Sequence, residues 1–304
     1  MKNPIKTFDP NLSGRDFCIG DLHGSFSAYE NLTKNLNFNP SVDRMFSVGD
    51  LVDRGPNSLD CLSLLHNPWF HSVLANHEKM MLSKFAEEYE GAYWFQNGGE
   101  WGAEAWAEYN NPRRIPTDNS LELYNLLPLV EELPFLITVN TKSGKKFHIL
   151  HAELPSATST ITDEILADPV QLLQLATTVR GDGYAFLWAR NLFYNFFDCS
   201  LSDRSKIIKM VNRGHNYEIF NDKLSHIISG HTIVRQPLTI VGQTNIDTGA
   251  YNSYTDPDYT AEPPAWAGLT CIELDTWKFY TATETTFSEV DPVVITREDL
   301  DREK

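Results

Sequence analysis

Cysteine is scarce in this chain: Cys18, Cys61, Cys199 and Cys271 stand far apart with no Cys-x-x-Cys pair, in a sequence of 304 residues. A chain of that length has no need of a disulfide framework, so the four read as reduced structural residues. Positive charge is also in short supply. Lys and Arg total 25 against 41 for Asp and Glu, and a formal charge of -16 repels phosphate backbones, which argues against stable nucleic-acid binding. No stretch approaches the ~20 apolar residues of a membrane span, and Met1 to Gly14 lacks the apolar centre of a signal peptide. The expectation is a soluble, cytoplasmic protein.

No Pro- or Ser-rich linker divides the chain, and no repeat of solenoid type is present. Residues 1–285 therefore read as one domain. Insertions are expected near 153–188, 191–225 and 251–266, and the charged segment 286–304 is expected to be a loosely attached tail.

Phe17-Cys18-Ile19 ends at Gly20-Asp21, and Arg44-Met45-Phe46-Ser47-Val48 ends in the same way at Gly49-Asp50. Two strands thus deliver carboxylates at their carboxyl ends. Helical spacing follows at 27–36 and 58–65, a third strand is expected at 71–74, and a helix over 78–90. Strand, polar motif and helix recur, so the fold class is α/β. Further strands are expected at 135–141, 147–150, 226–229, 238–241, 243–246, 269–274 and 278–282, as a second sheet packed on the first. The Trp- and Gly-rich segment 93–110 reads as helices with a glycine break, and 251–266 as an irregular loop.

Three motifs concentrate the chemistry: Gly20-Asp21-Leu22-His23-Gly24, Gly49-Asp50-Leu51-Val52-Asp53-Arg54-Gly55 and Asn76-His77-Glu78. Phosphate ester hydrolysis needs an activated water, neutralised oxygen charge and a proton for the leaving group, and two metal ions about 3.5–4 Å apart can supply the first two. Asp21 and His23, two apart, would lie on one side of extended backbone and grip one ion. Asp50, at the neighbouring strand end, is the natural bridge to a second. Asn76 offers a neutral carbonyl ligand that leaves the pair of ions net positive. His77 then serves as general acid, with Asp53 as its anionic partner, and Arg54 holds phosphate oxygens with its planar fork. Each fragment alone is a common turn or filler sequence; their ordered combination is specific.

With Ala75 preceding Asn76-His77-Glu78 where a glycine is usual, the three motifs resemble the phosphoprotein phosphatase family of calcineurin-like metallophosphoesterases, and most of all its bacteriophage lambda type. Pro68-Trp69-Phe70 and Asn97-Gly98-Gly99-Glu100-Trp101 match that type, the latter as a border of the cleft. The resemblance spans roughly residues 17–282 and implies two packed mixed sheets flanked by helices. It also implies that His151, in Leu150-His151-Ala152-Glu153, and His231, in Ser229-Gly230-His231-Thr232, complete the second metal site. Arg190, in Trp188-Ala189-Arg190, would be a second phosphate clamp, and Asp247 would orient a neighbour. His148 competes with His151, but three-residue spacing in a strand points the two to opposite faces. His66, His71, His148, His215 and His226 carry no assigned role.

By the same resemblance, a hydroxide activated by two divalent ions attacks phosphorus in line, with no covalent phosphoenzyme. The implied ion is Mn, while the mixed oxygen and imidazole ligands also suit Fe or Zn. The implied substrates are phosphoserine and phosphothreonine in proteins, with phosphotyrosine and small phosphoesters within reach. Dinucleoside tetraphosphatases, the alternative along with hydrolysis of RNA 5′ ends, usually have Ala in place of Asp53 and Asp in place of Glu78. A non-catalytic metal-binding scaffold would leave gaps among the ten site positions, and there are none.

Overall fold

The computed structural model describes residues 3–111, 113–154, 161–177, 185–197, 200–214, 216–254 and 262–302. Cys199, His215 and parts of the three expected insertions lie outside the described residues. Thirteen strands are found there: β1 (Ile5–Phe8), β2 (Asp16–Ile19), β3 (Arg44–Ser47), β4 (Phe70–Ser72), β5 (Leu136–Asn140), β6 (Lys146–Ile149), β7 (His226–Ser229), β8 (Leu238–Ile240), β9 (Gln243–Asn245), β10 (Leu269–Glu273), β11 (Lys278–Ala282), β12 (Phe287–Val290) and β13 (Val293–Ile295). They form two mixed sheets, ordered β12-β11-β10-β2-β3-β4 and β1-β5-β6-β7-β9-β8-β13.

The strand sequences explain why both faces of each sheet are covered. In β2, Cys18 points into a core between the sheets with Phe46, Ile137, Ile149, Ile228, Ile272 and Phe279. Its neighbours Phe17 and Ile19 point the other way, into the layer under the helices with Ala28, Leu32 and Leu62. All four β2 residues are buried, as expected for a strand with apolar partners on either side. The helices α1 (Phe26–Asn35), α2 (Ser58–Ser63), α3 (Asn76–Phe85), α4 (Ala103–Tyr109) and α5 (Asp118–Glu131) follow the motifs of the first half. Ala28, Tyr29 and Leu32 form the buried stripe of α1.

Register then decides where the motifs go. β2, β3 and β4 run parallel with Ile19 opposite Ser47 and Ser47 opposite Ser72, so the three motif loops leave one sheet at a common edge. In the second sheet β6, β7 and β9 are parallel, with Ile149 opposite Ile228 and Ser229 opposite Asn245. His151, His231 and Asp247 each follow two residues beyond those strand ends. The carboxyl ends of parallel strands are where ligand sites form in α/β sheets.

Three expectations are corrected. The helix after the third motif spans Asn76–Phe85 and does not reach residue 90; short 3-10 turns at Tyr89–Tyr93, Phe95–Asn97 and Gly99–Gly102 replace its end, with Gly98 left-handed at φ 102°. The third strand lies at Phe70–Ser72. The carboxyl-terminal segment is no loose tail: β12 extends one sheet, β13 pairs in parallel with β8 of the other, and Ile295 and Leu300 are fully buried. β1, which pairs with β5, was not foreseen. Among the described residues no helix is long and apolar enough to cross a membrane.

Candidate metal centre and phosphate site

The loops of the first two motifs, and the turn at His231, are built from backbone conformations that side chains avoid. His23, Asp50, Asp53, Arg54 and His231 all have positive φ, between 45° and 76°. Each such residue costs about 1–3 kcal/mol and persists only where its surroundings over-determine it. Here they do. The amides of Leu22 and His23 donate to Asp50 O, Gly24 N–H donates to Leu51 O, and Gly55 N–H returns to His23 O. Glu78, fully buried, accepts the amides of Asp50 (3.1 Å) and Leu51 (2.8 Å). Burial and the nearby Asp50 charge push its carboxyl up to about 8. Ala75 takes an extended conformation (φ -119°, ψ 173°), so the step into α3 needs no left-handed glycine.

Direct contacts link all ten expected site residues. Asp50 is central: its Oδ1 accepts His77 N–H at 3.2 Å, and its Oδ2 lies 3.3 Å from His23 Nε2 and 3.6 Å from His151 Nε2. Two groups of ligand atoms share it, His23-Asp50-His77 and Asp50-His151-His231, each gathered within 4.8 Å. Asp21 falls outside both groups; its carboxylate accepts His231 N–H at 3.0 Å. Gly230 permits that approach, because a Cβ there would collide with Asp21 Oδ1.

The donor atoms fit a cation. His23 Nδ1–H donates to Val52 O at 2.8 Å and His151 Nδ1–H donates to Val48 O at 2.9 Å, which leaves both Nε2 lone pairs facing the centre. His151 Nε2 is 2.7 Å from Asn76 Oδ1 and 3.1 Å from His231 Nδ1. An imidazole lone pair and an amide oxygen at that distance repel unless a positive centre lies against both. Burial together with the Arg54 charge holds His23 down near 3, and burial holds His151 and His231 below the usual range, so the rings are neutral. Burial, with the charges of Asp247 and Asp50, pushes Asp21 well above the carboxylate range; burial also pushes Asp247 up to about 6. Asp50 resists the same burial because His151, His77 and His23 hold it well below. Arg54 already sets a cation here, donating to His23 Nε2 at 2.8 Å and to His77 Nε2 at 3.0 Å.

His77 is held from behind. Its Nδ1 lies 2.6 Å from Asp53 Oδ2, and its Nε2 lies 3.0 Å from the Arg54 guanidinium. On the far side, Arg190 Nε donates to His231 Nε2 at 3.1 Å. Asp247 Oδ1 accepts Gly249 N–H and so shapes the turn into Tyr251. The Tyr251 ring lies under the Arg54 guanidinium at 5.0 Å.

Comparison with known proteins agrees with this geometry. Residues 17–235 match the model of the calcineurin-like phosphoesterases. The chain is 37% identical to serine/threonine-protein phosphatase 2 of Escherichia coli K12, over 77% of this chain and 87% of that one. It belongs to the calcineurin-like phosphoesterase family. A weaker likeness, 39% identity over 22% of this chain and 26% of the other, joins it to the symmetrical bis(5'-nucleosyl)-tetraphosphatase of Actinobacillus pleuropneumoniae. Among solved structures, the cold-active protein-tyrosine phosphatase of a Shewanella species superposes with a TM-score of 0.51, at 14% identity, over 96% of this chain and 83% of that one. At that identity the likeness speaks for the calcineurin-like fold alone.

Several residues around this calcineurin-like site escaped the sequence reading. Trp94 and Trp101, the latter placed only at the border of the cleft, both donate indole N–H groups to Asp53 Oδ1, at 3.0 and 2.7 Å. Glu153 accepts the amides of Asn191, Leu192 and Phe193 at 2.6, 2.6 and 2.8 Å, which fastens the loop beside Arg190 to the end of β6. Its place two residues after His151 was the one available signal. Of the histidines given no role, His148 points away to Asp163, His66 meets Glu122, and His226 meets Thr244.

Proposed function

We propose that the protein is a metal-dependent phosphomonoesterase that acts on phosphoserine and phosphothreonine in proteins. Manganese is the proposed ion and the cytoplasm the proposed location. Asp21, His23, Asp50, Asn76, His151 and His231 would hold two divalent ions. When bound, the ions lower the pKa of the attacking water and neutralise phosphoryl oxygen charge.

The residues of the chain do the rest. Arg54, exposed at the mouth, turns its fork from the two imidazoles to the phosphoryl oxygens, and Arg190 approaches from the opposite side. Water that has released one proton to solvent, as hydroxide, forms the new O–P bond. The ester oxygen leaves with the electron pair of the broken P–O bond and takes the proton of His77 Nε2. Asp53 keeps the ring oriented through Nδ1 and stabilises its charge before transfer. The 2.6 Å contact between His77 Nδ1 and Asp53, with Nε2 beside the Arg54 guanidinium at 3.0 Å, is the observation that carries this reading. An acid so placed is needed for a serine or threonine alkoxide, which leaves poorly without a proton.

The E. coli phosphatase supports a phosphoprotein substrate, and the short tetraphosphatase match supports the dinucleotide alternative less strongly. The test is a side-by-side assay with Mn of phosphoserine and phosphothreonine peptides, diadenosine tetraphosphate, and capped or triphosphorylated RNA ends. The peptides should turn over with the highest kcat/KM. A large preference for the dinucleotide would reverse the assignment.

A further inference from the structure

The Asp53 carboxylate is buried, yet its two oxygens are used differently. Oδ2 meets His77 Nδ1, while Oδ1 accepts two indole N–H groups from a T-shaped pair, Trp94 and Trp101, whose ring centroids are 5.9 Å apart. The Asp53 amide donates to Ser58 Oγ at 2.8 Å, so neither the backbone nor the carboxylate has a free rotation left. Two neutral donors on one oxygen fix the carboxylate plane, and that plane aims Oδ2 at the imidazole.

The surrounding sequence is shaped to let the indoles reach this point. Trp94 is fully buried, and a Cβ at Gly99 would collide with its Nε1 atom. Gly98, with φ 102°, uses its carbonyl to accept Arg54 N–H at 3.3 Å. One short segment therefore holds the partner of the acid and the backbone of the phosphate clamp together. Packing alone would need no N–H group directed at a carboxylate.

We propose that Trp94 and Trp101 are positioning residues that act through Asp53 on His77, and that they set the range of leaving groups the enzyme can expel. This rests on the reading of His77 as general acid. Alkyl phosphates of serine and threonine need the proton of His77 Nε2 as the P–O bond breaks. An aryl phosphate such as p-nitrophenyl phosphate releases a stable anion and needs it far less. A ring aimed slightly away from the leaving oxygen thus penalises the alkyl ester selectively.

The experiment measures kcat and KM of Trp101→Phe on a phosphoserine peptide and on p-nitrophenyl phosphate, in the Mn-loaded enzyme. The ratio of kcat values, peptide over aryl ester, should fall about tenfold, part of the ~10²–10⁴ that a general acid supplies. KM should change little. Benzothienylalanine at position 101, which keeps the ring shape and lacks the N–H, should give the same ratio and covers the case in which phenylalanine disturbs folding. On an Asp53→Asn background the same change should shift the ratio less than about twofold, because the shared partner is gone. Equal losses on both substrates, or full additivity with Asp53→Asn, would overturn the proposal and leave the indoles as packing. Should the unmodified enzyme ignore the peptide, the phosphoprotein assignment falls. The positioning role is then decided by the same ratio taken between phenyl phosphate and p-nitrophenyl phosphate.

Discussion

The two halves of the site are built by different means. Residues 20–24, 49–55 and 75–78 leave three adjacent parallel strands; the first two loops bond backbone to backbone, and the third joins them through His77 N–H to Asp50 Oδ1 and through the Glu78 carboxylate. His151, Arg190 and His231 come from far apart in the chain, and the loop beside Arg190 is tied to its strand through the single carboxylate of Glu153. The first half is tied by several bonds between loops of neighbouring strands; in the second, Gly230 N–H donates to His151 O at 2.8 Å, while the loop beside Arg190 hangs on Glu153. Asp50 is where they meet, since both groups of ligand atoms include it.

The strongest way to break that comparison is to remove the shared residue. Asp50→Asn should lose both ions and detectable turnover, because one negative charge disappears from both groups at once. Metal analysis of the purified variant checks it, and two tightly held ions would count against a bridge. Next in size is His77→Asn, with an expected fall in kcat of ~10²-fold or more while the ions stay bound. Metal loss with unchanged turnover per bound pair would move His77 from acid to ligand, a role its place in the His23-Asp50-His77 group makes geometrically open.

The same contrast explains what could be read in the sequence. Asp21, His23, Asp50, Asp53, Arg54, Asn76 and His77 lie in contiguous motifs whose residues serve the same point, so chemistry and spacing coincide. His151, His231 and Arg190 each sit in a short string that means little by itself, and only family resemblance singled them out. The alternation of Phe17, Cys18 and Ile19 between two apolar layers was legible as a strand, because period-two burial is local. The pairing of β12 and β13 was not. Their charged and weakly apolar sequence looks unattached until the sheet edges supply hydrogen-bond partners. The indoles of Trp94 and Trp101 were hidden for a similar reason: a tryptophan reads as core, and its one N–H acquires meaning only when folding puts a carboxylate beside it.

A pair of smaller changes sharpens the distinction between the halves. Glu78→Gln and Glu153→Gln each place an amide group against backbone N–H donors, and a buried donor left without an acceptor costs about 1–3 kcal/mol, so both variants should melt earlier. Their functional effects should differ. Glu78→Gln loosens the Asp50 loop and should weaken metal affinity by roughly 10–100-fold, as loss of a group that orients ligands does. Glu153→Gln should lower kcat/KM through Arg190 with smaller effect on the ions. Equal loss of metal affinity in the two would mean that the halves are not separately supported.

The smallest expected effect lies where the two sheets meet, away from the ligands. The ring of His71 of β4 lies tilted 4.4 Å from Phe8 of β1 and 5.5 Å from Phe46 of β3, so one ring joins strands of both sheets. Burial, aided by the charges of Lys6 and Arg44, holds its imidazole down at about 3 against an ordinary 6.5. The folded state therefore favours the neutral ring. That stability is fully present above pH 6.5 and is lost as pH falls toward 3, because the unfolded chain takes up the proton first. The slope is at most about 1.4 kcal/mol per pH unit, and less for a ring that keeps some contact with water. His71→Phe should remove it, so urea midpoints of the variant should change less between pH 6.5 and 5 than those of the parent. Identical slopes would show that the seam between the sheets does not sense this ring, and that the acid sensitivity of the fold arises within one half or the other.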